Sequence, residues 1–146
     1  MTLYRALKQV VSTVIEVDTA MTELRKVTDE TDATYSKFLD NASERAKKIG
    51  ATLTDVVNSS ADFARLGYEL EDAAILADTA LVYKNVGDGI EDINTASQSI
   101  ISTMQAFGIQ ANESMLIVDK FNAVGNNFAI TSVGKFCRVR CFTHLF

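Results

Sequence analysis

Apolar residues in the first part of the chain recur at Leu3, Leu7, Val10, Val14, Val17, Met21 and Leu24, with alternating spacings of four and three. That is a heptad seam held for three repeats, and it predicts an amphipathic helix with one narrow apolar stripe. The same register continues weakly through Thr28, Thr31, Tyr35, Phe38, Ala42 and Ile49. The polar positions Thr28 and Thr31 leave two readings open, a polar patch in one long helix or a kink between two. Either way residues 3–49 present a stripe that needs a partner, supplied by the chain's own bundle or by coiled-coil pairing with another chain.

Beyond Gly50, shorter helical patterns follow one another. Gly50 suits a C-terminal cap, and Thr52 with Asp55 suggests a capping box for the next helix. Leu53, Val56, Val57, Ala61 and Ala64 share one face before Gly67. Residues 69–86 carry Leu70, Ala73, Ala74, Ala77, Ala80 and Leu81 on one side and Ile75, Leu76, Val82 and Tyr83 on another. A helix apolar nearly all round is central in a bundle or sits in an assembly interface. Gly87-Asp88-Gly89 predicts a turn, and Thr95 with Gln98 predicts a second capping box. Ile100, Ile101, Met104 and Phe107 then run to Gly108. Asn112 is the expected cap of a last helix containing Ile117, Phe121 and Val124, with Gly125-Asn126-Asn127 as a polar loop closing it.

The predicted fold is all-α: a long N-terminal heptad helix followed by a bundle of short antiparallel helices. Three segments are expected, a heptad segment 1–49, a helical region 50–134 and an aberrant tail 135–146. Glycines at 50, 67, 87, 108 and 125 punctuate the chain every 17 to 21 residues, but the intervals share no side-chain pattern, so this is no solenoid. The complete absence of proline removes the strongest helix breaker.

Charge narrows the function classes. Residues 1–134 hold all 19 acidic residues and 11 of the 14 Lys and Arg, a balance of −8. An acidic body without clustered cations argues against a dedicated nucleic-acid site. The longest aliphatic run, Ala73 to Ala77, is far shorter than a membrane span requires, and the charged N-terminal stretch does not have the pattern of a signal peptide. The last twelve residues, KFCRVRCFTHLF, change style abruptly, with no acidic residue, no alanine, two cysteines and three phenylalanines. The expectation for them is translation in a shifted frame or a premature end near Gly134, with a genuine basic, aromatic tail as the competing reading.

Candidate chemistry is sparse. Cys137, Cys141 and His144 are spaced like metal ligands, but a structural zinc site wants four and the chain has no other Cys or His. A Cys137–Cys141 disulfide would staple little. Gly134-Lys135 lacks both the upstream glycine and the following Ser or Thr of a phosphate loop. Glu69, Glu71 and Asp72, like Glu91 and Asp92, lie near helix N-termini, where negative charge favours the helix. No nucleophile pairs with a base, so no enzyme, cofactor or metal is expected. The interaction seam Leu3, Leu7, Val10, Val14, Val17, Met21 and Leu24 is the candidate functional surface.

Several long stretches resemble the core region of tape measure proteins from tailed phages and prophages of Gram-positive hosts. They are VIEVDTAMTELRKVTDET (14–31), ATYSKF (33–38), GATLTDVVNSSADFARLGYELEDAAILADTALVYKNVGDG (50–89) and the run from Gly89 to Gly134. The resemblance implies a structural protein whose copies lie along the tail lumen, set tail tube length during assembly and leave during DNA ejection. It implies self-association, contacts with the tail tube and assembly chaperones, and residence in the host cytoplasm before assembly. Family members are far longer and continue past the equivalent of Gly134 into an alanine-rich helix, so the chain is expected to be a truncated fragment. The alternative is a free-standing helical-bundle module that binds another protein through the 3–24 stripe.

Overall fold

The computed structural model describes residues 2–87 and 89–128. Six α-helices and one short 3-10 turn make up the ordered elements, with no strand among the described residues. They are α1 (Thr2–Arg25), α2 (Asp32–Ile49), α3 (Leu53–Arg65), α4 (Leu70–Val86), α5 (Ile93–Phe107), the 3-10 turn Ala111–Glu113, and α6 (Met115–Phe128). The chain divides into two compact units, with the division between Ala74 and Ile75, inside α4. The fold is all-α, as the periodicity predicts.

In the first unit α3 packs against both α1 and α2. Its core takes Met21 and Leu24 from α1, Tyr35, Phe38, Ala42 and Ala46 from α2, and Val56, Val57, Ala61 and Phe63 from α3, all buried. Phe63 is not on the face read from the sequence, yet it is the largest fully enclosed residue here and meets Tyr68 edge-to-face with ring centroids 6.3 Å apart. The stripe 3–49 forms two helices rather than one, because the chain breaks after Arg25 and restarts at Asp32. The α2–α3 break is of another kind. Gly50 adopts φ 75°, a left-handed conformation that side chains resist, and its N–H reaches the Ala46 carbonyl. Thr52 and Asp55 then form the expected capping box, each side chain accepting the other's backbone N–H.

The second unit holds the rest of α4 with α5 and α6. Buried hydroxyls satisfy themselves on nearby carbonyls: Ser99 donates to Thr95 O at 2.8 Å and Thr103 to Ser99 O at 2.7 Å. Thr79 and Ser114 hydroxyls, both fully buried, meet at 2.8 Å, and the Tyr83 and Phe121 rings lie 5.7 Å apart. Gly87 is required by close approach. A Cβ there would stand 2.7 Å from Tyr83 O and 2.9 Å from the Ile90 side chain.

Three sequence expectations are corrected here. The N-cap of α5 is Asp92, whose carboxylate accepts the N–H and the hydroxyl of Thr95, so Thr95 lies inside the first turn and forms no box with Gln98. Asn112 lies within the 3-10 turn, and the buried Ser114 leads into α6. Gly125-Asn126-Asn127 is not a loop but the continuation of α6, where one helical glycine costs only about 1 kcal/mol and Asn127 donates to Ala123 O at 2.8 Å. The expectations for Gly134-Lys135, for Cys137, Cys141 and His144 and for the tail 135–146 fall outside the described residues.

The Asp92 cap makes a pH prediction. Hydrogen bonds from the Thr95 side chain and backbone, the largest influences, hold its carboxyl below the ordinary aspartate range. A depressed folded-state pKa stabilises the fold while the group is ionised, and that contribution is lost as pH falls below about 4, through the folded value. Thermal melts between pH 3 and 7 are expected to show a smaller acid loss for Asp92→Asn than for wild type, because asparagine keeps the backbone cap without titrating. Identical acid profiles would remove the cap from the pH dependence.

Candidate functional site on the N-terminal helix

The seam singled out in the sequence is split by the fold. Met21 and Leu24 are buried in the first unit, and Val17 is half-buried. Val10 and Val14 stand 63% and 62% exposed, with Val11 and Ile15 also open beside them. The side chains of Leu3 and Leu7 are outside the described set.

Length explains the split. At 1.5 Å per residue, the 24 residues of α1 extend about 36 Å, whereas the 13 residues of α3 reach only about 20 Å. Arg65 near the end of α3 pairs with Glu23 of α1 at 3.2 Å, and Leu53 at its start borders a groove with Val14 and Val17. The two helices therefore run in the same direction, and α1 outruns the start of α3, leaving residues 8–16 exposed.

The groove, of about 630 Å³, is lined by Thr13, Val14, Val17, Asp18, Met21, Thr22, Arg25, Leu39 and Leu53. It joins the open valine face to the buried end of the same stripe. Its rim is lightly charged, with Asp18 and Arg25 at the edge. Nearby, Glu23 is held below the usual carboxylate range by its bond to Lys26, with Lys26 and Arg65 charges adding to the effect. This is an open, largely apolar surface with a polar border.

A second cleft, of about 560 Å³, lies among α2, α3 and the start of α4. Phe38, Ala42, Val56, Leu70 and Ala74 form its apolar lining, and Glu30, Lys37, Arg45 and Glu71 give it charges of both signs. No lining residue of the cleft is Cys, His or Ser. Among the described residues no three Cys, His, Asp or Glu side chains gather to hold a metal ion, and no helix is long and apolar enough to cross a membrane.

The family described as phage-related minor tail protein matches residues 39–134, about two-thirds of the chain. The chain belongs to this family. Membership supports a structural part in a phage tail and contact with other tail proteins, in line with the tail resemblance read from the sequence. The match spans most of α2 and all of α3 to α6, so the open face of α1 lies before it. No solved structure matches the chain.

Sequence reasoning found the seam but missed its division. Heptad spacing reports which residues share a face, not how far a neighbouring helix reaches along it. The only available signal was the short interval between Thr52 and Gly67, which limits α3 to about four turns.

Proposed function

We propose that this minor tail chain acts as part of a tape measure: it lies in the tail lumen, fixes the length of the tail tube as the tube polymerises, and waits in the host cytoplasm before assembly. The observation that carries the reading is a proline-free, helical chain in a phage tail family. A helix converts residue number into length at a constant rise, which is what a ruler needs. The chain contributes no catalysis, cofactor or metal in this reading. Its partners are further copies of itself, joined along the seam that Val10 and Val14 continue upward from Val17, together with tail tube subunits and assembly chaperones.

The test is tail length. Tails assembled with an in-frame deletion of residues 53–86 are expected to be shorter by about 50 Å in electron micrographs, if those residues are extended as helix in the tail. Tails of unchanged length would overturn the ruler.

A second reading is favoured by the burial of Met21 and Leu24 against the chain's own helices. The Met21 and Leu24 end of the stripe is thereby consumed within the molecule, which suits a free-standing helical bundle offering the exposed Val10 and Val14 to a different protein. That reading expects a monomer in solution and no effect of the chain's length on the tail.

A further inference from the structure

The break between α1 and α2 differs from the ends of α2 and α5. The α2 end is set by Gly50 and the α5 end by Gly108, both left-handed. Residues 26–31, Lys-Val-Thr-Asp-Glu-Thr, contain neither glycine nor proline. Helical backbone bonds persist past Arg25, from Lys26 N to Thr22 O and from Thr28 N to Leu24 O, and resume with Tyr35 N to Thr31 O. Residues 26–31 depart from the helix, the first two as a turn and Thr31 with extended backbone, while the heptad register runs through them from Leu24 to Thr28, Thr31, Tyr35 and Phe38.

Side-chain contacts hold the fold-back in place. The Tyr35 hydroxyl lies 2.7 Å from the Thr28 hydroxyl, donates to Thr28 O at 3.1 Å and receives Glu30 N–H at 3.3 Å. Arg25 stacks over the Tyr35 ring at 4.5 Å and pairs with Asp32 at 2.9 Å. Arg25 and Asp32 would be about 10.5 Å apart along a straight helix, so their ion pair belongs only to the folded-back form. Both are largely in water, where such a pair contributes little. Thr31 caps α2 by accepting Thr34 N–H at 3.2 Å.

We propose that residues 26–31 are an exchange hinge: the break straightens into helix, and α1 of one copy leaves its own α3 and packs on the α3 of a second copy. The exchanged pair re-forms between chains the burial of Met21 and Leu24 and the Glu23–Arg65 ion pair that each monomer makes within itself. The cost is therefore confined to the hinge, where new backbone helix bonds replace the Tyr35 clasp and the Thr31 cap. Since α1 and α3 run in the same direction, straightening the hinge sets the second copy in the opposite sense, giving a closed two-fold pair. The occupant is a second copy because only that chain carries an α3 complementary to this α1. The inference rests on the self-association proposed above but uses a different surface, because exchange re-forms the α1–α3 contact between chains and leaves Val10 and Val14 as exposed as in the monomer.

The experiment uses the full chain with Cys137→Ser and Cys141→Ser, to which Glu23→Cys and Arg65→Cys are added. Monomer and dimer fractions are separated by gel filtration, diluted and treated with a short bis-maleimide. In an exchanged pair the cross-link joins two chains, so the dimer fraction is expected to give a band of twice the chain mass on denaturing gels and the monomer fraction a single-chain band. In the cysteine-free background, Asp29→Gly with Glu30→Gly, which disfavours a straight helix, is expected to weaken dimerisation at least about 10-fold by analytical ultracentrifugation. Thr28→Leu with Thr31→Leu, which fills the seam and removes the cap, is expected to strengthen it by a similar factor. A dimer whose cross-links stay within single chains would overturn exchange and leave side-by-side pairing standing. No dimer for any variant up to about 100 μM, a concentration at which even weak pairing registers, would overturn both.

Discussion

Wild-type protein is expected to sediment as an oligomer at micromolar concentration, and Val10→Asp with Val14→Asp is expected to abolish association through the open face of α1 with unchanged helix content. Both valines are already more than half exposed, so a carboxylate at either position meets water in the monomer and threatens no core contact. In a paired seam the same carboxylates would be stripped of water against apolar neighbours. Burying a valine contributes about 1.5 kcal/mol, and each copy supplies two, so dissociation should become easier by at least about 100-fold. Sedimentation velocity across a concentration series measures this, with circular dichroism recorded on the same samples. Val17 is a poorer choice of position, because it is half-buried and a charge there would mix an assembly effect with a folding effect. If wild type stays monomeric throughout, the open face of α1 is no contact between copies, and the bundle reading moves ahead of the ruler.

Phe63→Ala is expected to cost about 3–5 kcal/mol, the largest single-residue loss in the first unit. The ring is 1% exposed, sits on the helix that packs against both α1 and α2, and meets Tyr68 edge-to-face. Removing it leaves a cavity that three short helices can close only in part. For a unit of this size the thermal midpoint should drop by about 12 °C or more. Leu66→Ala, three residues on and 62% exposed, is the control and should stay within about 0.5 kcal/mol of wild type. Similar losses for the two would mean that Phe63 is not the keystone of this packing.

The two substitutions probe opposite ends of one design. Val10 and Val14 belong to a stripe that the chain exposes, and Phe63 belongs to the helix that covers the remainder of it. The Tyr35 clasp lies just beyond the covered end of the stripe, so in the exchange proposed above this short segment decides whether the stripe is folded back on its own α3 or free to leave it.

Much of this was determined by the sequence alone. Heptad spacing marked the stripe from Leu3 to Leu24, and Gly50, Thr52 and Asp55 fixed the passage from α2 to α3, because left-handed glycine and a reciprocal cap act within a few residues. The all-α class followed from periodicity in a chain without proline, and the tail resemblance pointed to the family that residues 39–134 match. Local rules fell short where competing signals were close. Asp92 outcompeted Thr95 as the cap of α5 by offering a carboxylate to two donors, and Gly125 stayed inside α6 because a single helical glycine is tolerated. Only the tertiary structure decided that Phe63 is enclosed, that Thr79 and Ser114 meet across 35 residues of sequence, and that the stripe is covered at Met21 and Leu24 but bare at Val10 and Val14. Those outcomes depend on which helices lie side by side and how far each extends, and a face-sharing pattern within one helix carries neither quantity.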